Sequence, residues 1–217
     1  MSSPLPPSDR ARVRRIADRG AYDRETIYSI LDEALVCHVG IVQDGQPFVM
    51  PMLHARSGDR LYLHGSVGSR LMRQLAAGEP ACLTATLLDG LVVARSVFHH
   101  SLNYRSVVVL GQAREIAERE EKLAALEDLV ERVIPGRSRD ARGPSDRELA
   151  ATSVVAFPLQ ECSAKIRNGP PKDEEEDYTL SIWGGVVPIR TVFDSPVSDS
   201  RVLPDVLPPD YLLKYRR

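Results

Sequence analysis

Apolar residues along this chain first recur at helical spacing and then in alternation, and each change of period marks an element. Ile27, Ile30, Leu31 and Ala34 share one helical face, and Asp23 precedes them as an N-cap, which predicts a helix over 23–34. The runs LVCHVGIV and QPFVMPMLHA then flank Asp44-Gly45. Asp-Gly suits a tight type I′ turn, so this segment reads as a hairpin. Ser57-Gly58-Asp59 marks the next turn, and RLYLHG the next strand. A short helix is expected from Ser69 to Ala77, with Gly78 as its terminator. ACLTATLL and LVVARSVF flank a second Asp-Gly, Asp89-Gly90, and predict a second hairpin. NYRSVVVLGQARE, rich in β-branched residues, predicts a long strand. Leu123, Leu126, Leu129, Val130 and Val133 share a face in a predicted helix over 117–133, stopped by Pro135-Gly136. A short helix at SDRELAA and the strands SVVAFPLQ and CSAKIR follow. About six or seven strands joined by tight turns favour an antiparallel sheet or barrel, mainly β with peripheral helices, over a parallel α/β sheet.

The two ends differ from this body. Residues 1–18 are Pro-rich and then Arg-rich, with Arg10, Arg12, Arg14 and Arg15, and read as a solvated N-terminal arm. Residues 19–189 carry the periodic elements and form the one expected domain. Residues 190–217 hold Pro196, Pro204, Pro208 and Pro209 and read as a tail that wraps a surface or moves. The acidic run from Asp173 to Asp177 reads as a solvated loop.

Composition narrows the class. With 217 residues, 43% hydrophobic and 27% charged, the chain can bury a sizeable core, which excludes a disordered, collagenous or disulfide-framework protein. A net charge of −2 gives no basic excess for nucleic acid. No apolar run approaches the ~20 residues of a membrane span, and the N-terminus lacks the apolar stretch of a secretory signal. A cytoplasmic protein without membrane or nucleic-acid partners is the expectation. Cys37, Cys82 and Cys162 form no CxxC pair and read as reduced core thiols, so no metal site is expected.

The richest chemistry lies in Leu63-His64-Gly65-Ser66-Val67-Gly68-Ser69-Arg70, which ends a strand and opens a helix. Two glycines let backbone approach a ligand, two serines offer hydroxyls, and Arg70 offers a forked cation. The segment is either a phosphate cradle or a capped turn with a surface Arg. In Phe98 to Ser106, the adjacent His99 and His100 point to opposite sides of an extended chain and cannot readily share a metal. Arg105 opens a strand, where it can reach a phosphate or a carboxylate. The five histidines, at 38, 54, 64, 99 and 100, show no metal-binding spacing. Trp183 reads either as packing or as a platform beside a flat ring.

HGSVGSR resembles the phosphate loop of the pyridoxamine 5′-phosphate oxidase-like flavoproteins. Gly65, Ser66, Val67, Gly68, Ser69 and Arg70 match in order, while Leu71 stands where that family carries Lys. Further stretches are similar to its flavin-nucleotide-binding branch, to which nitroimidazole-resistance proteins are related. They are RGAYDRETIYSILDEALVCHVGIV, GQPFVMPMLHAR, LLDGLVVARSVFHHSLNYRSVVVLGQA and SAKIRNGPPKDEEEDY with SIWGGVVP. The resemblance covers residues 19–189. It implies an antiparallel FMN-binding split β-barrel, homodimeric, with FMN at the subunit interface and residues from both chains at each site. Gly65, Ser66, Ser69 and Arg70 would hold the FMN phosphate. Val49, Met50, Pro51 and Met52 would line the flavin, with their backbone reaching its polar edge. Arg105, Ser106 and His64 would also face the cofactor, and Lys165, Arg167 and Trp183 would stand near it.

The function this implies is an FMN-dependent oxidoreductase that passes electrons from reduced flavin to a small nitroaromatic- or quinone-like acceptor. No acid or base is identified; Tyr104 and His99 are candidates by chemical type alone. Leu71 weighs against pyridoxamine phosphate oxidation itself. Three other readings stay open: a flavin-binding or storage protein without turnover, a haem-binding split barrel with His54, His64, His99 or His100 as axial ligand, and an empty structural or interaction barrel that leaves HGSVGSR without a ligand.

Overall fold

Residues 8–216 are described by a computed structural model of the protein; residues 1–7 of the expected arm and Arg217 lie outside them. Eleven strands occur among the described residues. Helix α1 (Arg24–Glu33) follows the short β1 (Gly20–Ala21), and the Asp23 carboxylate accepts from the Thr26 amide at 2.8 Å as the predicted cap. Its buried residues are Ile27, Ile30 and Leu31, the predicted face. The first predicted hairpin forms from β2 (Val36–Gln43) and β3 (Gln46–Leu53). Asp44 and Gly45 both take positive φ, 50° and 75°, as a type I′ turn requires. β4 (Ala55–Ser57) and β5 (Arg60–Ser66) follow, then helix α2 (Arg70–Ala76).

The second predicted hairpin does not form. β6 runs unbroken from Pro80 to Val93 and pairs along its length with β7 (Ser101–Gln112), with a register shift between Leu88 and Gly90. The Asp89-Gly90 pair makes that bulge instead of a turn. A side chain at Gly90 would stand 2.9 Å from Val186 Cγ1, so its missing Cβ lets β11 (Gly185–Pro188) lie against β6. The chain reverses later, through a turn over Val97–His99.

β8 (Arg114–Glu115), helix α3 (Arg119–Val133) and helix α4 (Asp146–Ala151) come next. β9 (Thr152–Pro158) and β10 (Glu161–Arg167) complete the body, and a short α5 (Asp210–Leu213) lies near the C-terminus. Two antiparallel sheets result. One has the order β1-β10-β7-β6-β2-β3, with β11 added on β6, and the other β4-β5-β9-β8. They close as a split β-barrel around a core that includes Leu31, Val39, Leu63, Met72, Val107 and Phe157. β9 is buried on both faces. Val155 and Phe157 face this core, while Val154 and Ala156 pack with Ile116 and Ala125 under α3. An unbroken apolar run suits a strand covered on both sides.

Two expectations about the periphery change, and a third narrows to one of its alternatives. The arginines at 10, 12, 14 and 15 are exposed, but the arm is pinned: Ala11 is buried, Arg10 Nε donates to Glu161 at 2.8 Å, and the Val13 amide donates to Tyr22 Oη at 2.9 Å. Asp173 is not solvated. Its buried carboxylate accepts from the Arg95 and Ser96 amides and from the Arg95 guanidinium. Burial pushes its pKa up, and those donors more than offset it, leaving the pKa below the ordinary value. The tail wraps a surface: the Tyr211 ring lies against Gly136, and Tyr215 Oη donates to the Val133 carbonyl. No helix among the described residues is long and apolar enough to cross a membrane.

Candidate functional site

Along β5 the side chains alternate. Leu61 and Leu63 enter the barrel core, and Tyr62 and His64 face the other way, toward α3. There His64 borders a cavity of about 810 Å³. Its walls include Leu126, Leu129, Val130 and Val133 of α3, with Ile134 just beyond and Leu53 at the end of β3. Arg137 and Arg142 stand at its rim. That size and an apolar wall with a few polar groups are the marks of a site for a large flat ligand. Arg142 is already engaged, with both terminal nitrogens on Glu148 at 2.8 and 2.6 Å.

His64 is the imidazole on the wall of this cavity. Its Nδ1 is buried and has no hydrogen-bond partner. Burial also lowers its pKa, favouring the neutral ring that can ligate a metal. The other histidines are placed differently. His54 is buried, with Nε2 2.9 Å from the Leu31 carbonyl oxygen. His100 Nδ1 lies 2.9 Å from the Ser96 carbonyl oxygen. His99 faces Glu174 at 3.6 Å, and His38 lies exposed on β2.

The residues after His64 form the predicted loop. Ser66 Oγ accepts from the Gly68 amide at 3.2 Å, and Ser69 caps α2 by accepting from the Met72 amide. A Cβ at Gly65 would stand 2.8 Å from Met72 Cγ in the core, so only glycine fits there. The Arg70 guanidinium lies 4.0 Å over the Phe48 ring, which fixes a cation beside β3. Leu71, where the resembling family carries Lys, is buried in the core and faces away from the loop. Two hydroxyls and a stacked arginine make a donor set fit for a phosphate. β3 ends its sheet, so one backbone edge is unpaired there. Val49 and Pro51 are exposed, whereas Met50 and Met52 turn inward against the core. Only the backbone of Met50 and Met52 is left to meet a ligand on the outer face.

The remaining predicted residues lie apart. β7 and β3 are separated by β6 and β2, so Arg105 stands three strand spacings, about 14 Å, from β3. Arg105 lines a second cavity of about 540 Å³ with Glu33, His38, Asp89, Arg190 and Phe193. Its fork is committed there: Nε and Nη2 donate to Asp89 at 3.0 and 2.8 Å, and Nη1 and Nη2 donate to Glu33. Those bonds raise its pKa above the ordinary arginine value. Ser106 Oγ donates to the Lys165 carbonyl, and Lys165 Nζ donates to the Arg15 carbonyl at 3.0 Å. Arg167 is buried and donates to Asn103, Gly169 and Pro170. Trp183 is 65% exposed, its ring edge over Gly185. Sequence reasoning missed Arg137 and read the α3 residues only as one helical face, without a pocket against it. The signal was present, since Leu126, Val130 and Val133 continue past the helix into Ile134.

The family profile described as Pyridoxamine 5′-phosphate oxidase matches residues 23–166. Among curated proteins nothing matches. Among solved structures, the chain is 44% identical to the flavocytochrome Anf3 from Azotobacter vinelandii, covering 98% of this chain and 99% of that one, with a TM-score of 0.93. It is 37% identical to the FAD and haem binding protein from Mycobacterium smegmatis, covering 89% and 95%, with a TM-score of 0.86. A candidate 5-nitroimidazole antibiotic resistance protein from Bacteroides thetaiotaomicron is 26% identical over 68% of this chain and 86% of its own, with a TM-score of 0.57.

Proposed function

The chain belongs to the pyridoxamine 5′-phosphate oxidase-like family of flavin-binding proteins, and from that premise we propose that it is a redox protein carrying both a flavin and a haem. The observation that carries the haem is His64: a half-buried ring with a buried, unpartnered Nδ1, on the wall of an apolar cavity with arginines at its rim. In this reading His64 would ligate the haem iron, which takes up one of the four histidines open from sequence. The aliphatic residues of α3 would hold the flat ring and exclude water. Arg137 at the rim would face a carboxylate of the ligand, since Arg142 is held by Glu148.

The flavin in this reading lies on the exposed side of β3, with its phosphate at Ser66, Ser69 and Arg70. The family resemblance implies FMN. The 37% identical relative is named for FAD, and its 89% coverage of this chain favours FAD here. Leu53 ends β3 at the His64 cavity, so the two ligands are neighbours along one strand. A flavin held there would supply two-electron chemistry and a haem one-electron chemistry, and the protein would supply their spacing and surroundings. Arg105, Ser106, Lys165 and Trp183 reach a flavin only on a second copy of the chain, so the reading includes a homodimer. The terminal acceptor is a small molecule.

The test is the absorbance spectrum of the purified protein, followed by chromatography of the released flavin. A Soret band together with flavin bands is expected. His64→Ala should lose the Soret band and keep the flavin. A Soret band unchanged in that variant removes His64 as ligand. Flavin released as FMN corrects the choice of FAD.

A further inference from the structure

The rim of the His64 cavity is held by a segment far away in sequence. Residues 134–142 form that rim, and Ile134, Arg137 and Asp140 line the cavity. From within, Glu131 accepts from the Gly136 amide at 2.6 Å and the Ser138 amide at 2.8 Å. From outside, the C-terminal segment covers it. The Tyr211 ring packs on Gly136, whose φ of 92° turns the loop, and a Cβ there would meet Tyr211 Cδ1 at 3.4 Å. Arg137 Nη1 donates to Tyr211 Oη at 3.3 Å, and Tyr211 Oη donates to Asp140 at 2.6 Å.

This arrangement has a chemical direction. Asp140 also stands on the rim, and Tyr211 takes up its carboxylate. Among the described residues no carboxylate hydrogen-bonds to Arg137, and Asp140 acts on it only through longer-range attraction. Arg142, the other rim arginine, is held by Glu148. One cation is therefore kept at the mouth, oriented by a phenol and with no carboxylate bonded to it. Tyr211 lies beyond the family-matched span of 23–166, whereas Arg137 and Asp140 lie within it.

We propose that Tyr211 is a positioning residue that holds Arg137 for a carboxylate of the ligand in the His64 cavity, so that the C-terminal segment selects a ligand bearing such groups. This rests on the haem reading. Tyr211 does two things: its ring sets the loop over Gly136, and its hydroxyl both orients Arg137 and withdraws Asp140 from it.

The experiment titrates the haem-free full-length protein with ferric protoporphyrin IX and with its dimethyl ester, which lacks the two carboxylates, following the Soret shift. Wild type should bind the free acid about tenfold more tightly than the ester. Tyr211→Phe keeps the ring and loses the hydroxyl. It should weaken the free acid by about three- to tenfold, leave the ester unchanged and retain the bound flavin. Arg137→Met should remove the preference, and adding Tyr211→Phe to it should cost nothing further. Equal binding of acid and ester by wild type overturns the proposal, as does a Tyr211→Phe variant with the full preference. No Soret shift with either porphyrin in wild type overturns the haem reading, and the proposal falls with it.

Discussion

The Arg105 and His64 cavities of this barrel differ less in size than in what their polar groups already do. Around Arg105, both carboxylates and the guanidinium fork satisfy one another, and the cavity beside them has its charges settled within the protein. Around His64, a ring nitrogen is buried without a partner, and among the described residues no carboxylate hydrogen-bonds to Arg137. A buried unsatisfied group costs free energy, so one on a cavity wall calls for an account. Unmatched chemistry, more than volume, separates a site awaiting a ligand from a cluster that holds the fold.

The contrast can be broken most severely at the wall. Leu129→Asp puts a carboxylate into the apolar side of the His64 cavity and should cost about 3 kcal/mol or more. Denaturant melts should show this, and haem titration should fail in whatever protein remains folded; full haem binding would mean that α3 is not the wall. Arg105→Met leaves Glu33 facing Asp89. Because the cluster is partly exposed, the expected loss is about 1–2 kcal/mol, with haem binding intact. A variant of unchanged stability that loses a bound anion would make the Arg105 cavity the ligand site instead.

A smaller effect is expected at α4. Ser145 and Glu148 form a reciprocal capping box, and Glu148 also lines the His64 cavity. Ser145→Ala should cost about 1 kcal/mol and speed amide exchange over 146–149. Unaltered exchange there would show that the box is dispensable. Acid offers the mildest probe. The Gly136 amide and then the Ser138 hydroxyl and amide lower the Glu131 pKa to about 2. Its folded-state pKa is depressed, so its contribution is present above the unfolded carboxylate value and fades as pH falls from there toward 2. Haem affinity should weaken over that window as the rim loosens, and Glu131→Gln should flatten the profile.

How far the sequence could be read depends on the kind of information each feature needs. The helix caps at Asp23 and Ser69 and the turn at Asp44-Gly45 are local, and their residues name them. The same dipeptide at Asp89-Gly90 misled, because its role is set by β11 arriving from almost a hundred residues later. Asp173 misled for the same reason: the Arg95 and Ser96 amides that bury it are distant in sequence. The loop from Gly65 to Arg70 was legible because its chemistry is contiguous. The cavity was not. An i, i+3, i+4, i+7 row such as Leu126, Leu129, Val130 and Val133 reads alike whether it meets a core or an open pocket. Choosing His64 among four histidines required knowing which ring had no partner.

Synthesis from the N-terminus gives the tail over α3 a consequence in time. Residues 210–215 emerge from the ribosome after the barrel strands, yet they close the outer side of the rim at 133–140. The barrel strands and His64 are synthesised well before them. A nascent chain thus presents a half-built pocket, whose outer wall closes only once this segment has emerged.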